Sequence, residues 1–321
     1  MKQNGKAWVR KFNIYLLFAI LLVCTGCGVP AKQEGKAVYS FTDITGTTIE
    51  MTGPPQRIVS LGLNDDELLL DLVAPERIAA LTTTADDAGI SAVADKAKLV
   101  KGRVQTANVE SVLQCQPDLV LMPDWLNVVI LKQVRATGVK VYVHNTPKTM
   151  EEIKAVVADI SKVVGEEEKG RLLVAQMDKR LQAVKTKTNA IPPEKRKKLL
   201  ALSFMGPMGI KGSSFDDMCK YANIINGIAG LDIPANSTFS EEQMLVINPD
   251  IILIPSWDYG GTRNTGEFKA SVLNNPAYQG IKAIKNKDII QLQDKYLYST
   301  SHYAVQAVED LAKATYPEYM Q

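Results

Sequence analysis

The sequence predicts an α/β protein of two lobes, each built around a central, mainly parallel sheet, with a single long helix between them. A repeated segment, an alternation of strands with helices, and one long helical stretch predict this fold. Residues 109–125 (VESVLQCQPDLVLMPDW) and residues 241–257 (EEQMLVINPDIILIPSW) are identical at seven of 17 positions and lie 132 residues apart. Solenoid repeats recur every ~20–50 residues, so this wide spacing indicates two similar lobes.

Residues 1–27 have the composition of an export leader. Basic residues precede Phe12–Val23, an apolar run shorter than the ~20 residues that a membrane-spanning helix needs. The run ends at Cys24-Thr25-Gly26-Cys27, which resembles the lipobox of bacterial lipoproteins, although Cys24 stands where leucine is usual. We expect Cys27 to be lipidated and to anchor the protein at the outer face of the cytoplasmic membrane. An ordinary cleaved signal is the alternative, and it also exports the protein.

Composition limits the partners of the exported chain. The chain has 37 basic and 35 acidic residues and a formal net charge of +2, without a long basic stretch, so nucleic acid is not expected. Without the leader, roughly 295 residues remain, enough for two domains with cores of their own. Cys115 and Cys219 fall in different predicted lobes, and we expect buried free thiols.

The first lobe is predicted to span residues 38–165, after a small, polar tether at residues 28–37. It begins with a β-hairpin, and Asn64 is the predicted N-cap of the helix after the first buried strand. Strands alternate with helical periodicity, which predicts a parallel, Rossmann-like sheet. The predicted strands are residues 57–61, 78–81, 120–122 and 139–143.

A long helical stretch follows the first lobe and ends at Pro192 and Pro193. We predict a helix over residues 150–164 and then one rigid helix, residues 166–189, that joins the lobes. The second lobe, residues 190–321, repeats the pattern of the first. Its further predicted elements are strands at residues 198–204 and 288–292 and helices at residues 215–228 and 304–314.

Several motifs stand in a characteristic order. They are Arg57–Leu61 (RIVSL), Asn108-x-Glu110 with Pro117-Asp118, the copy from Glu242 to Pro249-Asp250, and Leu311-Ala312-Lys313 with Tyr316-Pro317-Glu318. With these motifs and a lipobox, the chain resembles the iron–siderophore and cobalamin class of ABC-transporter substrate-binding proteins over residues 38–318. The resemblance implies two lobes joined by one long helix and a metal chelate bound between them. It also implies a monomer that delivers the chelate to an ABC permease dimer with its ATPase subunits.

Glu110 and Glu242 occupy matching positions in the repeat, each two residues after a predicted helix cap, Asn108 or Ser240. Ser240 and Gln243 also form a capping-box pattern. Both glutamates could merely complement the helix dipole, which is worth ~0.3–1 kcal/mol. The resemblance implies a second role, in which one surface glutamate of each lobe docks onto arginines of the permease dimer.

Trp125 and Trp257 each follow a strand and a proline, at the carboxyl edge where open α/β sheets bind ligands. An indole there can pack on a corrin, a catecholate or a porphyrin face, and packing at the rim of the sheet is the alternative. Tyr259 and Arg263 lie beside Trp257 in the chain. Arg263 suits an anionic chelate through a bidentate contact, although an exposed surface arginine is equally expected.

Two loops after strands supply further candidates. Residues 205–212 (MGPMGIKG) match no nucleotide-binding glycine pattern, and we predict a flexible loop that offers Met205 and Met208 to a ligand. Simple turn chemistry is the alternative. In the first lobe, Asn64 stands in the corresponding loop and is followed by two aspartates, which argue against an anionic siderophore unless the helix N-terminus satisfies them.

Histidine is rare, since only His144 and His302 occur. Zinc- or manganese-receiving relatives would gather several histidines with a carboxylate, so no direct metal site is expected. His144 follows a buried strand and is interpreted as structural, whereas His302 could reach a chelated metal as an axial ligand. Haem-binding members often place a tyrosine several residues before the first-lobe glutamate. Residues 104–107 (VQTA) contain none, so haem is disfavoured.

The sequence therefore predicts a receptor, without catalysis and without a cofactor of its own, that captures a ferric siderophore or a corrinoid between its lobes. Two alternatives stay open. A periplasmic metal chelatase-like enzyme or a hydrolase on the same fold would need a nucleophile and a base, and no G-x-S-x-G motif occurs. A ligand-sensing lipoprotein would look the same in sequence, apart from a role for the paired glutamates.

Overall fold

The structure is a computed structural model that describes residues 39–106, 108–231 and 240–321. Three predicted features lie outside these residues: the leader, the lipidation of Cys27 and the tether. The described residues form two α/β lobes, each with a central sheet whose main strands are parallel, and a long helix joins them. Within these ranges, no helix has both the length and the apolar character that crossing a membrane requires.

The first lobe consists of a hairpin and a five-stranded parallel sheet with helices on both faces. Its strands are β1 (Tyr39–Thr42), β2 (Thr48–Met51), β3 (Ile58–Ser60), β4 (Ile78–Thr82), β5 (Arg103–Val104), β6 (Leu119–Pro123) and β7 (Val141–His144). Its helices are α1 (Leu63–Leu72), α2 (Ala94–Ala97), α3 (Val109–Gln114), α4 (Val128–Ala136) and α5 (Met150–Val163). β1 and β2 form the predicted antiparallel hairpin. The other strands pair in the order β5-β4-β3-β6-β7.

The second lobe contains another five-stranded sheet. Its strands are β8 (Lys198–Ser203), β9 (Gly206–Met208), β10 (Ile225–Asn226), β11 (Ile251–Ile254) and β12 (Ile289–Gln291). Four of them pair in parallel in the order β10-β8-β11-β12, and β9 runs antiparallel along β8. After the linker helix α6 (Glu167–Thr188), the helices of this lobe are α7 (Ser214–Tyr221), α8 (Glu241–Ile247), α9 (Thr265–Asn274), α10 (Lys282–Asn286), α11 (Asp294–Leu297) and α12 (Ala304–Thr315).

The linker helix α6 has 22 residues and stands where the sequence predicts the strut between the lobes. A left-handed turn at Gly165 (φ 75°) separates it from α5, and the two helices then run along each other. Gly170 makes their close approach possible, because a Cβ at this position would lie closer than 3.0 Å to the Ser161 side chain. The predicted residue boundaries of the lobes stay predictions.

Within the described ranges, the buried apolar side chains form three clusters. The largest is continuous through both lobes and the linker, with Ile58 and Leu119 from the first sheet, Leu181 from α6, and Leu199 and Leu253 from the second sheet. The other two clusters cover the remaining face of each sheet. Separating the lobes along the first cluster would expose apolar surface at a cost of about 25 cal/mol per Å². This cluster therefore opposes separation of the lobes on its own side.

The prediction that Asn64 caps α1 was wrong. The helix begins one residue earlier, at Leu63, and Gly62 holds the N-cap position without a side-chain cap. Gly62 is needed there because a Cβ would lie 2.9 Å from Asn64 Oδ1 and 3.0 Å from Pro123 Cγ. Asn64 is instead buried in the first turn, where its Nδ2 donates to Asp65 Oδ1 over 3.1 Å.

The helix predicted over residues 215–228 is shorter in the structure. α7 ends at Tyr221, and Asn223 adopts a left-handed conformation (φ 56°) before β10 begins at Ile225. Asparagine tolerates this region better than other residues with a Cβ, and it ends helices for that reason. The apolar residues after Asn223 therefore form an edge strand, which periodicity alone does not distinguish from a continuing helix.

The two cysteines of the described chain are free thiols, as predicted. Cys219 is buried on α7, and burial raises the pKa of its thiol above the ordinary range. Cys115 is only partly buried, because it is the C-cap of the short helix α3 and not part of a longer apolar helix.

Candidate ligand cleft between the lobes

The two copies of the repeat fold in the same way. In each lobe a short helix, α3 or α8, leads through Pro-Asp into a central strand, β6 or β11. The Asp118 carboxylate accepts the N–H groups of Gln56 and Arg57 over 2.6 and 3.0 Å, and Asp250 accepts the Lys198 N–H over 2.9 Å. Each aspartate thereby fixes the start of the neighbouring strand, β3 or β8, so the repeat sets the register at the centre of each sheet.

The carboxyl edges of the two sheets face each other. Asp87 follows β4 through one 3₁₀ turn, and Trp257 follows β11. Trp257 Nε1 donates to Asp87 Oδ2 over 2.9 Å, across 170 positions of sequence. The indole also lies against Gly89, where a Cβ would be closer than 3.0 Å to Trp257 Cδ1. The loops at these edges therefore meet across a cleft between the lobes, which is where open α/β sheets bind ligands.

Trp257 belongs to a group of aromatic side chains at the edge of the second sheet. Tyr259 stacks on it, with ring centroids 3.9 Å apart and planes at 20°. Phe204, the first residue after β8, meets Tyr259 edge-on at 5.8 Å, and the guanidinium of Arg263 lies 5.9 Å from the Phe204 ring centroid. We call Phe204, Trp257 and Tyr259 the aromatic wall. The structure thus brings Trp257, Tyr259 and Arg263 together, and their contact with a ligand stays a prediction.

Polar contacts hold the aromatic wall in place. Asp294 Oδ2 accepts the N–H groups of Ser256 and Trp257 over 3.0 and 2.8 Å, and burial raises the pKa of this carboxyl group. Tyr259 adopts a left-handed conformation (φ 55°) that residues with a Cβ rarely take. Such a conformation persists only where the surroundings fix it. Burial also raises the pKa of the Tyr298 hydroxyl.

Trp125, the counterpart of Trp257 in the repeat, has a different environment. Its side chain is 62% exposed, and Val128 and Val129 beside it are also exposed. The preceding residue, Asp124, accepts the N–H and the hydroxyl of Thr146 over 3.0 and 2.6 Å, which fixes the loop. One tryptophan of the predicted pair therefore lies in the contact between the lobes. The other offers an open indole at the carboxyl edge of the first sheet.

A second set of polar contacts joins the lobes at α1. Glu67 is buried, and its Oε2 accepts the hydroxyls of Ser299 and Ser301 over 2.8 and 2.5 Å. Its Oε1 accepts the Ala92 N–H over 3.1 Å. Burial raises the pKa of this carboxyl group, although the hydroxyl donors oppose the shift. Sequence reasoning missed Glu67, because it looked like one more acid in the first turns of a helix.

His302 takes part in the same contact. Its Nε2 lies 2.8 Å from Asp71 Oδ2, which also accepts the Tyr303 hydroxyl over 2.7 Å, and Lys96 pairs with the other oxygen. Burial opposes ionisation of Asp71, but the hydrogen bonds from His302, Lys96 and Tyr303 lower its pKa to about 2. We call Glu67 and Asp71, with residues 299–303, the α1 seam. An axial role for His302 would require it to leave Asp71, and that role stays a prediction.

The two aspartates at the start of α1 lie inside the first lobe. Asp65 Oδ1 is 2.8 Å from His144 Nε2, and Asp66 accepts the Thr82 N–H over 3.1 Å as well as the Thr82 hydroxyl. Burial raises the pKa of Asp66 to about 8. Burial opposes protonation of His144, but the Asp65 carboxylate raises its pKa. These acids are buried and paired, so they give no reason to exclude an anionic ligand from the cleft.

The flexible loop predicted at residues 205–212 is partly a strand. Gly206–Met208 form β9, and Met208 pairs with Ala201 and packs against the largest core cluster. Met205 occupies the turn between β8 and β9 with 85% of its side chain exposed. The structure therefore leaves Met205 exposed next to Phe204 and places Met208, partly buried, against the core. Contact of either methionine with a ligand stays a prediction.

Glu110 and Glu242 occupy the second positions of α3 and α8, as predicted, and both side chains are exposed. Asn108 caps α3 through its side chain, and Ser240 and Gln243 form the predicted capping box at α8. A hydrogen bond from Ser240 lowers the pKa of Glu242. The helix-dipole role of these glutamates and their docking to a permease both stay predictions. No group of three or more metal-ligating side chains is arranged to hold a metal ion within residues 39–106, 108–231 and 240–321.

Two lobes, one linker helix and facing sheet edges form an architecture typical of binding proteins that hold a ligand in a cleft. Residues 58–296 match the periplasmic binding protein family, and the chain belongs to this family. It is 24% identical to the uncharacterised ABC transporter substrate-binding lipoprotein YvrC of Bacillus subtilis, with 99% of both chains aligned. It is 22% identical to the iron-uptake system-binding protein of Bacillus subtilis, covering 88% of this chain and 90% of the relative. Among solved structures, the haem-binding protein RhuT from Roseiflexus superposes with a TM-score of 0.70 at 23% identity, covering 83% of this chain and 99% of RhuT.

Proposed function

We propose that the protein is the substrate-binding receptor of an ABC importer. It captures a metal chelate, a ferric siderophore or a corrinoid, between its lobes and brings no cofactor of its own. The observation that carries this proposal is the pair of facing sheet edges, with the aromatic wall on one and the open indole of Trp125 on the other. Flat aromatic faces suit corrin rings and the aromatic groups of siderophores. The iron-uptake relative supports a chelated metal as the ligand.

Export and anchoring complete the proposed function. The leader and the lipobox support a position on the outer face of the cytoplasmic membrane, with a lipid on Cys27 as the proposed anchor. The lipoprotein name of the relative YvrC supports this placement. A receptor held at the membrane surface stays close to the permease to which it delivers its ligand.

Glu110 and Glu242 are the proposed contacts with the permease dimer. Each is exposed on a short helix that leads directly into the central strand of its own lobe. Because each glutamate moves with the rigid centre of one lobe, the distance between the two carboxylates changes when the lobes rotate. A permease that binds both carboxylates at once can therefore distinguish a closed receptor from an open one.

A titration followed by tryptophan fluorescence tests the proposed function. The chain from residue 28 onward retains all three core clusters. It is titrated with cyanocobalamin, haem, a ferric trihydroxamate and a ferric tris-catecholate, with free iron and zinc as controls. N-acetyl-tryptophanamide corrects for light absorbed by the chelates. Saturable submicromolar quenching by one chelate supports the proposal, and Trp125→Phe and Trp257→Phe show which indole reports it. If no chelate binds in calorimetry either, the ligand is not a metal chelate.

A further inference from the structure

The hydrogen bond between Trp257 and Asp87 joins the lobes at the edge where the ligand is proposed to bind. Asp87 is oriented for this bond, because its Oδ1 accepts the Gly89 N–H over 2.8 Å and leaves Oδ2 for the indole at 2.9 Å. Both partners belong to the chain itself. The bond therefore needs no ligand in order to form.

Trp257 is held so that its indole N–H points across the cleft. Its backbone N–H is bound by Asp294, and Tyr259 stacks on the ring face. The opposite lobe leaves room for the indole only because residue 89 is glycine. A hydrogen bond to a carboxylate is stronger than one between neutral groups. These contacts together form a specific closure and not a chance encounter of two loops.

Asp87 is also a carboxylate without a cationic partner. Its neighbour Asp86 pairs with Arg103 at 2.6 Å, whereas no lysine or arginine among the described residues forms an ion pair with Asp87. A ligand that inserts between Asp87 and Trp257 breaks their hydrogen bond. The freed carboxylate then faces the ligand, where it accepts ligand N–H or O–H donors and repels negative charge.

We propose that the hydrogen bond between Asp87 and Trp257 is a latch, which holds the cleft closed without ligand and is broken when the ligand binds. We further propose that the freed Asp87 carboxylate selects neutral or cationic chelates over polyanionic ones. The latch follows from the geometry alone. The selection deepens the proposed function and rests on it.

The latch is tested in the full chain, kept in mild detergent and without ligand. Trp8→Phe and Trp125→Phe leave Trp257 as the only indole. In this background Asp87→Ala is expected to move the emission to longer wavelength and to increase quenching by acrylamide, because the indole leaves Gly89. Gly89→Ala is expected to produce the same change without altering any charge. The control is Asp258→Ala, since Asp258 is exposed beside Trp257. Unchanged emission in both folded variants refutes the latch.

The selection is tested by calorimetry with three chelates of different charge: neutral cyanocobalamin, a cationic ferric trihydroxamate and a trianionic ferric tris-catecholate. Asp87→Asn keeps the shape of the side chain and removes its charge. It is expected to tighten binding of the tris-catecholate relative to cyanocobalamin by about ten-fold, whereas Asp258→Asn leaves that ratio unchanged. Equal changes for all three chelates refute the selection. If no chelate binds to the parent or the variants, the proposed function and the selection both fail, and the emission of Trp257 still decides the latch.

Discussion

Replacing Gly170, the glycine of α6 that contacts Ser161 of α5, tests how closely the linker helix packs against α5. A Cβ at Gly170 would lie closer than 3.0 Å to both Oγ and Cβ of Ser161. Ser161 is fully buried, and its hydroxyl donates to the Ala158 carbonyl over 2.8 Å. Rotation of the hydroxyl relieves only the Oγ contact, because the Cβ of Ser161 moves only with the backbone. Gly170→Ala therefore forces α5 and α6 apart.

Two effects of opposite sign determine the magnitude. Alanine is favoured over glycine in a helix interior by about 1 kcal/mol. Overpacking of a closely packed contact costs about 1–3 kcal/mol. Because the contact lies between two helices that belong to the largest core cluster, we expect the upper part of that range. The net loss in the free energy of unfolding is then about 1–2 kcal/mol.

Urea unfolding of Gly170→Ala, Ser161→Gly and the double variant measures this effect. Ser161→Gly alone is expected to cost about 0.5 kcal/mol through helix propensity, because serine is itself a weaker helix former than alanine. In the double variant the small residue lies on α5 and the methyl group on α6, so the contact fits again. The double variant is expected to be more stable than the sum of the single effects by on the order of 2 kcal/mol. Additive effects, or a Gly170→Ala variant more stable than the parent, would show that no clash exists.

Three further predictions concern a buried acid, the permease and the membrane. Asp66 has its pKa raised from 3.8 to about 8, so in this range the folded state binds a proton that the unfolded chain releases. Stability should therefore fall as the pH rises from about 4 to about 8, by at most about 1.4 kcal/mol per pH unit, and thermal unfolding of Asp66→Asn should show a flatter profile. Reversing the charge of Glu110 and Glu242 to lysine should abolish uptake of the chelate while its affinity in solution stays unchanged; a lost affinity would instead place these residues in the cleft. Cys27→Ser should release the protein from isolated membranes into the soluble fraction, and continued retention would mean that Cys24 carries the lipid or that the leader stays attached.

The architecture could be predicted from the sequence because it depends on local patterns. Apolar runs of strand length alternate with helical periodicity, and the two copies of the repeat place one such unit in each lobe. The structure adds a reason for part of that repeat, since Asp118 and Asp250 bind the backbone at the start of the neighbouring strand. The pattern of the repeat alone could not show these contacts, because Asp118 lies 61 positions from Arg57 and Asp250 lies 52 positions from Lys198.

The partners of the acids on α1 could not be predicted from the sequence for the same physical reason. In the run NDDELLLDLV, Asp65 turns into the first lobe, whereas Glu67 and Asp71 reach residues 299–303 of the second lobe. The contacts of Glu67 and Asp71 join positions more than 200 residues apart in the chain. Local periodicity shows only which face of a helix is apolar. It cannot show which distant residues contact the polar side chains of the same helix.

The two tryptophans show where reasoning from the repeat fails. Matching positions suggested equivalent roles, yet Trp257 closes against Asp87 and Gly89, whereas Trp125 is open to solvent. Among the described residues, the difference arises in the opposing lobe, because the Asp87 carboxylate and Gly89 contact Trp257, whereas the Trp125 side chain is exposed. The cleft is therefore asymmetric, with an aromatic surface from the second lobe and an acidic acceptor from the first. For a ligand that stacks on the aromatic wall and reaches Asp87, the carboxylate favours hydrogen-bond donors and disfavours negative charge on the side that faces the first lobe, and this is how we propose that Asp87 influences which chelate is bound.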